Sequence, residues 1–270
     1  MNNLFTEIIG QHTAKLILSS AIASGKTAPA YLFTSTTEGV GKTKTALVFA
    51  SYISASTDLL QIHPQGDNSR IGVEQVREII TFVSTSPIEG ERKVVIVHEC
   101  DSITPAAANA LLKTLEEPGK SVFILITSRP QNILATIKSR CQIVPFSQLF
   151  TDEVKTILES QKISLHQDIL KVCFGSPGHA IAFHKLLNSI PESILDKLQV
   201  PPLDIITALE VSNWISKQDK QTQALLLTYL QTSWWKKTKN TGSLVKFNQA
   251  RKQLCFLVSP RNIWDTLLMP

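Results

Sequence analysis

Eight residues, "TTEGVGKT" from Thr36 to Thr43, have the types and spacing to hold phosphate. The phosphate-loop pattern asks for a glycine, four free positions, then Gly-Lys and a hydroxyl residue. Gly41, Lys42 and Thr43 satisfy its end, Gly39 adds freedom in the middle, and Thr36 stands where the first glycine belongs. Glycines let backbone N–H groups turn inward around phosphate oxygens. A lysine such as Lys42 neutralises them, and a hydroxyl such as that of Thr43 can hold Mg²⁺. A second stretch, "VVIVHECDSIT" from Val94 to Thr104, opens as a buried strand whose end could carry the hydrolytic carboxylates. Sites of this kind end that strand in Asp-Glu, the aspartate serving the metal shell and the glutamate the attacking water. Glu99 is present, but His98 fills the aspartate position. A neutral imidazole is a weak partner for the metal shell, and an imidazolium would repel the cation. His98 therefore reads as a polar core residue. The pair of stretches predicts a degenerate site that could still hold ATP or ADP with Mg²⁺ weakly and would hydrolyse little.

The elements around these residues alternate. "YLFTST" (Tyr31–Thr36), the run Leu59–Ile62, "KVVIVHE", "SVFILIT" and "CQIVPF" read as short strands. Lys42–Ser54 reads as a helix. "GVEQVREIITFV" places Val73, Val76, Ile79, Ile80 and Val83 at helical spacing. "TPAAANALLKTLEEP" is punctuated at both ends. Thr104 suits the N-cap, Pro105 the first helical position, and Pro118-Gly119 the stop. Alternating strands and helices imply a parallel sheet covered on both faces. Beyond Pro145 the chain reads as helices only, with breaks at Gly175–Gly178, at "SIPES" and at "VPPLD". Leu203–Leu268 reads as three or four helices. The expected division is an α/β domain over residues 1–147, a small helical domain over 148–188 and a helical domain over 189–270.

Bulk properties narrow the class. The 270 residues are 43% hydrophobic, enough for packed cores and too much for a disordered chain. No run of about 18 apolar residues occurs, so no membrane span is expected. The start "MNNLFTEIIGQ" lacks the pattern of a secretory signal, which makes a cytoplasmic protein the default. Cys100, Cys141, Cys173 and Cys255 are scattered without metal-ligand spacing and read as reduced, mostly buried thiols. Net charge is +5, and from Ile190 onward ten Lys or Arg face six Asp or Glu. Such a surplus can meet nucleic acid or simply face solvent.

Three more stretches, "AAANALLKTLEEP", "ILITSRPQNILATIKSRCQ" and "GSPGHAI", follow the phosphate loop in that order. With "GQHTAKLILSSAIASGKTAPAYLF" ahead of the loop, they resemble the bacterial clamp loader of DNA polymerase III, and within it the delta-prime subunits. The resemblance covers roughly residues 5–185. It implies an AAA+ α/β core, a small helical lid and an all-α collar. It also implies a place in a hetero-pentameric ring that uses ATP to put the sliding clamp on primed DNA. The family's Ser-Arg-Cys motif matches Ser139, Arg140 and Cys141, which makes Arg140 an arginine finger reaching the ATP site of a neighbouring subunit. A guanidinium is always charged and can fork onto a γ-phosphate. Thr127 falls at the sensor-one position. His179 stands where hydrolysing relatives often carry a sensor-two arginine. The four zinc-binding cysteines of many relatives have no counterpart in Ala46–Asp67, so no zinc is expected. Changed at Thr36, His98 and His179 but keeping Arg140, the chain is expected to be a stator. It would lend its finger within the polymerase III holoenzyme and hydrolyse little or no ATP itself.

Other readings stay open. A hydrolysing AAA+ motor would need another metal ligand. A nucleotide kinase would need an arginine-rich lid, which is missing. A DNA-binding module could use "SWWKKTKN" (Ser233–Asn240), stacking aromatics on bases with lysines on phosphates. The same stretch also reads as a helix end with half-buried tryptophans. Leu225, Leu226, Leu227 and Leu230 are expected to pack within their own domain or against sister subunits.

Overall fold

The computed structural model describes residues 4–66, 69–165, 167–198, 203–238, 241–254 and 259–269. Two compact units emerge, Met1–Ile157 with Gly175–Gly178, and Leu158–Phe174 with His179–Pro270.

In the first unit helix α1 (His12–Ser24) precedes strand β1 (Ala30–Thr34), α2 (Lys42–Ile53), β2 (Leu59–Ile62) and α3 (Val73–Ser84). Then come β3 (Lys93–Val97), α4 (Pro105–Glu116), β4 (Ser121–Thr127), the single turn α5 (Ala135–Lys138) and β5 (Gln142–Pro145). The five strands form one sheet in the order β2-β3-β4-β1-β5, and every pairing is parallel. Strands buried on both faces read as unbroken apolar runs rather than as alternation. That is why β3 and β4 are buried at every position. Side chains of successive residues still leave by opposite faces. Leu32, Val95, Val97, Phe123 and Leu125 meet Val76 and Ile79 of α3 and Leu111 and Leu115 of α4 in one core cluster. Tyr31 packs edge-on against Phe49 of α2, with ring centres 5.2 Å apart.

Thr34 of β1 lies beside Thr127 of β4, and Val97 of β3 beside Leu125 of β4. The carboxyl ends of β1, β4 and β3 therefore finish side by side. Crevices outside such ends are where open α/β sheets take ligands. Helix α4 starts as expected, with the Thr104 hydroxyl accepting from the Ala107 N–H at 3.4 Å and Pro105 at the first position.

α6 (Thr151–Ser160) runs out of the first unit. The second unit is helical, with α7 (Gln167–Val172), α8 (Pro177–Ser189), α9 (Glu192–Leu198), α10 (Ile205–Ile215), α11 (Lys220–Thr238), α12 (Thr241–Leu254) and α13 (Pro260–Leu268). Among the described residues four helices occupy the stretch read as three or four. Leu226, Leu227 and Leu230 are fully buried within this unit, and Leu225 is partly so. Trp234 is a core residue. Its indole N–H donates to the Leu198 carbonyl at 3.1 Å and its ring packs edge-on against Phe247. A buried, hydrogen-bonded indole is not available for stacking on bases, which favours the helix-end reading of "SWWKKTKN". Lys239 and Asn240 of that stretch lie outside the described residues, as does Cys255. Cys100 and Cys173 are buried, Cys141 partly so, and burial pushes the thiols of Cys141 and Cys173 up to about 12. Among the described residues no helix is long and apolar enough to cross a membrane.

Candidate functional site

The loop after β1 is held from outside. The Thr37 carbonyl accepts from the Lys42 ammonium at 3.1 Å, and the Glu38 carbonyl from the Ser176 hydroxyl at 2.6 Å. The Gly39 carbonyl accepts from the Gly178 N–H at 2.9 Å, and the Val40 carbonyl from the Gln11 side-chain amide at 3.1 Å. The Gly41 carbonyl accepts from the N–H and hydroxyl of Thr45, each at 3.0 Å. In a trans peptide the N–H points opposite to the C=O. The four carbonyls of Glu38, Gly39, Val40 and Gly41, held outward, therefore aim the N–H groups of residues 39–42 the other way, while the Thr37 carbonyl faces Lys42. Among the described residues none of those four N–H groups has an acceptor. A concave run of free N–H groups at a helix start is an anion cradle.

Lys42 is buried at the mouth of this cradle, and its ammonium also donates to the Ser128 hydroxyl at 2.9 Å. Burial lowers its pKa to about 8, opposed by the carboxylates of Glu38 and Asp101. It stays largely protonated at neutral pH. Thr43 is exposed on the first turn of α2. Thr36 is exposed and has no positive φ, so its side chain causes no left-handed strain. Gly39 has φ +70°, and a Cβ there would stand 2.8 Å from the Gly178 Cα. No larger residue fits that crossing.

His98 sits at the end of β3, 6% exposed. Its ring stacks on His63 with centres 3.9 Å apart, and its Nε2 lies 3.2 Å from the Gln61 side-chain oxygen. Burial, with His63 beside it, lowers its pKa to about 4. It is a neutral core histidine, as its type implied. The neighbouring Glu99 is exposed and adopts a left-handed φ of 46°, uncommon for a residue with a side chain.

A second carboxylate, which the spacing did not single out, fills the space beside the cradle. The Thr127 hydroxyl donates to Asp101 at 2.7 Å and accepts the Arg129 N–H at 2.9 Å. The Arg129 guanidinium lies 3.7 Å from Asp101 and 4.0 Å from Glu38 of the loop. Asp101 is brought there by the 3-10 turn Cys100–Ser102, a local bend that residue spacing does not reveal. The structure thus unites Lys42, Thr127, Asp101 and the N–H cradle at one place. The site suits the phosphates of a nucleotide. The usual carboxylate for the metal shell is absent at His98, and Asp101 is the nearby alternative.

Arg140 belongs to a separate surface, just after α5. Its Nε donates to Glu116 at 2.8 Å and a terminal nitrogen contacts the same carboxylate oxygen. Another nitrogen donates to the Thr136 carbonyl at 2.8 Å. The guanidinium is thereby held at the C-terminal end of α4, about one-third exposed. His179 lies in α8 and belongs to the second unit.

Comparison with known proteins fits this arrangement. The family described as "DNA polymerase III, delta subunit" matches residues 54–150, and "Cyanobacterial DNA polymerase III delta prime, C-terminal domain" matches residues 152–270. The chain belongs to the bacterial clamp loader family of AAA+ proteins. It is 30% identical over 195 residues to DNA polymerase III subunit tau of Bacillus subtilis, 62% of this chain and 34% of that protein. It is 37% identical over 130 residues to subunit delta' of Escherichia coli, 46% of this chain and 39% of that protein. The chain thus spans little more than a third of these relatives' lengths. A DNA polymerase III gamma-subunit-related protein of Thermotoga maritima shares this fold, with a TM-score of 0.56 at 22% identity, over 93% of this chain and 98% of that one. The RuvB branch migration motor of the same organism shares the AAA+ fold, with a TM-score of 0.52 at 18% identity over 81% of this chain and 73% of that chain.

Proposed function

We propose that this chain is a delta-prime-like stator of the DNA polymerase III clamp loader. It assembles with the other loader subunits into a hetero-pentamer that places the sliding clamp on primed DNA. It contributes Arg140 in trans to a neighbour's ATP and hydrolyses little or none itself. The core is continued by a lid over residues 148–188 and a collar over 189–270. The observation that carries the reading is His98. A ring that is buried, neutral and stacked on His63 supplies no carboxylate to a metal shell. The loop keeps Gly39, Gly41, Lys42 and its free N–H groups for phosphate, so on this reading ATP or ADP is a ligand here rather than a substrate.

Asp101 favours a second reading. Its carboxylate, bonded to Thr127, could orient a metal-bound water in place of the missing aspartate. The chain would then be a motor subunit of the same loader. One experiment separates the two. DNA- and clamp-stimulated ATP turnover is measured for a reconstituted loader carrying wild-type chain, Arg140→Ala or Asp101→Asn, with isolated chain as control. A stator gives a large loss with Arg140→Ala, none with Asp101→Asn and no turnover alone. A motor loses turnover with Asp101→Asn.

A further inference from the structure

From the way the phosphate loop is tied, we infer that Gln11 is a positioning residue that keeps the phosphate cradle formed before any nucleotide arrives. The inference rests on the reading that the cradle takes a nucleotide phosphate.

Gln11 is buried, and its backbone adopts a left-handed φ of 53° just ahead of α1. A side-chain-bearing residue pays for that conformation only where its surroundings hold it. Here the holding is done by its own amide. The side-chain N–H₂ donates to the Val40 carbonyl at 3.1 Å and to the Ser147 carbonyl at 2.7 Å. The side-chain oxygen accepts the Ser147 N–H at 3.0 Å. The two bonds to Ser147 close a two-point pairing, and the third reaches the phosphate loop. Every hydrogen of the amide nitrogen is therefore used, and a buried amide so satisfied is fixed in orientation.

Val40 is the link that matters. Its carbonyl belongs to the peptide whose N–H is that of Gly41, so the bond from Gln11 turns the Gly41 N–H into the cradle. Without it, the Val40 carbonyl would be an unpaired buried acceptor free to rotate inward. A carbonyl dipole pointing into the cradle would repel phosphate. The same strap steadies the loop elsewhere, since Gln148 donates to the Thr37 hydroxyl at 2.9 Å and Leu149 to the Gly175 carbonyl at 2.9 Å. Ser176, on the Glu38 carbonyl, performs the equivalent task two peptides earlier.

The test is direct binding of a fluorescent N-methylanthraniloyl-ADP to the full chain at 10 °C, with inorganic pyrophosphate as competitor. Variants are Gln11→Ala, Gln11→Glu, Ser176→Ala and, as a control for the direct phosphate contact, Lys42→Ala. Gln11→Glu keeps an acceptor for the Ser147 N–H but replaces the donors with a carboxylate charge, so Gln11→Ala, which adds no charge, is the deciding variant. Gln11→Ala should weaken both ADP and pyrophosphate by about tenfold or more, the scale of one lost bond that orients a dipole toward a charge. Ser176→Ala should weaken them less, and it remains informative if Gln11→Ala fails to fold. A purely structural Gln11 would lower the melting temperature and leave affinity at 10 °C unchanged, and that result overturns the inference while the cradle reading stands. Absence of binding by wild type, with no competition by pyrophosphate, overturns the cradle reading and the inference with it.

Discussion

Lowering the pH from 7 to 5 should destabilise the first unit through one side chain, His98. Its pKa is lowered from 6.5 to about 4, first by burial and then by His63. Below pH 6.5 the unfolded chain takes up a proton that the folded chain refuses until about pH 4. The stabilisation is therefore complete above 6.5 and falls as the pH drops through that window. At pH 5 a shift of this size corresponds to about 2 kcal/mol. The stack is partly wetted through exposed His63, so screening reduces the expectation to about 1–2 kcal/mol. For a unit of this size that is about 2–8 °C in melting temperature. The assay is thermal unfolding at pH 7 and pH 5 for wild type and His98→Gln, whose amide can still meet Gln61. The variant should start lower, having lost the stack, but its pH 5 loss should be smaller than that of wild type by the amount above. A proton NMR titration of His98 should place its midpoint near 4. Equal losses in both proteins, or a midpoint near 6.5, would refute the neutral core histidine and reopen the question of what position 98 does.

Other expectations follow from single contacts. Arg140 and Glu116 form a part-exposed pair, so Arg140→Ala should cost at most about 1 kcal/mol of stability. Ring turnover should nevertheless fall by about a hundredfold or more if the arginine is a finger. Glu116→Ala should leave melting nearly unchanged and lower turnover less than Arg140→Ala, because it removes only the orienting partner; unchanged turnover would make the pair ornamental. Asp58 accepts the N–H groups of Ile88, Glu89 and Gly90, chiefly that of Gly90 in holding its carboxyl below the usual range. This support is complete above about pH 4 and is lost as the pH falls through the lower folded value. Asp58→Ala should speed amide exchange across residues 86–92. Leu226→Ala, in the fully buried face of α11, should cost about 2–5 kcal/mol, read as the loss of the second unit's unfolding transition at lower denaturant.

The sheet was legible because its physics is local. Strands buried on both faces must be apolar runs, and "VVIV" and "SVFILIT" are such runs. Helix α4 was legible to the residue because Thr104, Pro105 and Pro118 act on their own neighbours. Helix α1 was not, because it starts at a left-handed Gln11 with no side-chain cap, so no start signal of the usual kind is present. The cradle was legible in Gly39, Gly41 and Lys42, but the groups that hold it were not. Gln11, Ser147 and Ser176 come to the loop only through the fold. Asp101 was hidden by a turn of three residues. His98 could be judged from its chemistry alone, since no environment makes an imidazole a good substitute for a metal-shell carboxylate.

Loss of that carboxylate need not disturb Arg140, and the geometry of α4 explains why. The helix begins directly after the Asp101–Thr127 contact and ends at Glu116, which holds the guanidinium. Twelve residues of α-helix make a rod of about 18 Å. Its position is set by Ala107, Ala108, Leu111 and Leu115, all buried in the sheet's core, and by none of the cradle's residues. Replacing aspartate by His98 changes one side chain at the end of β3 while its stack on His63 and contact with Gln61 keep the strand end filled. The rod therefore stays where the core puts it, and with it the Arg140 guanidinium. The strand end at His98 and the guanidinium of Arg140 depend on different packing, so a stator of the kind proposed can lose the one function and keep the other.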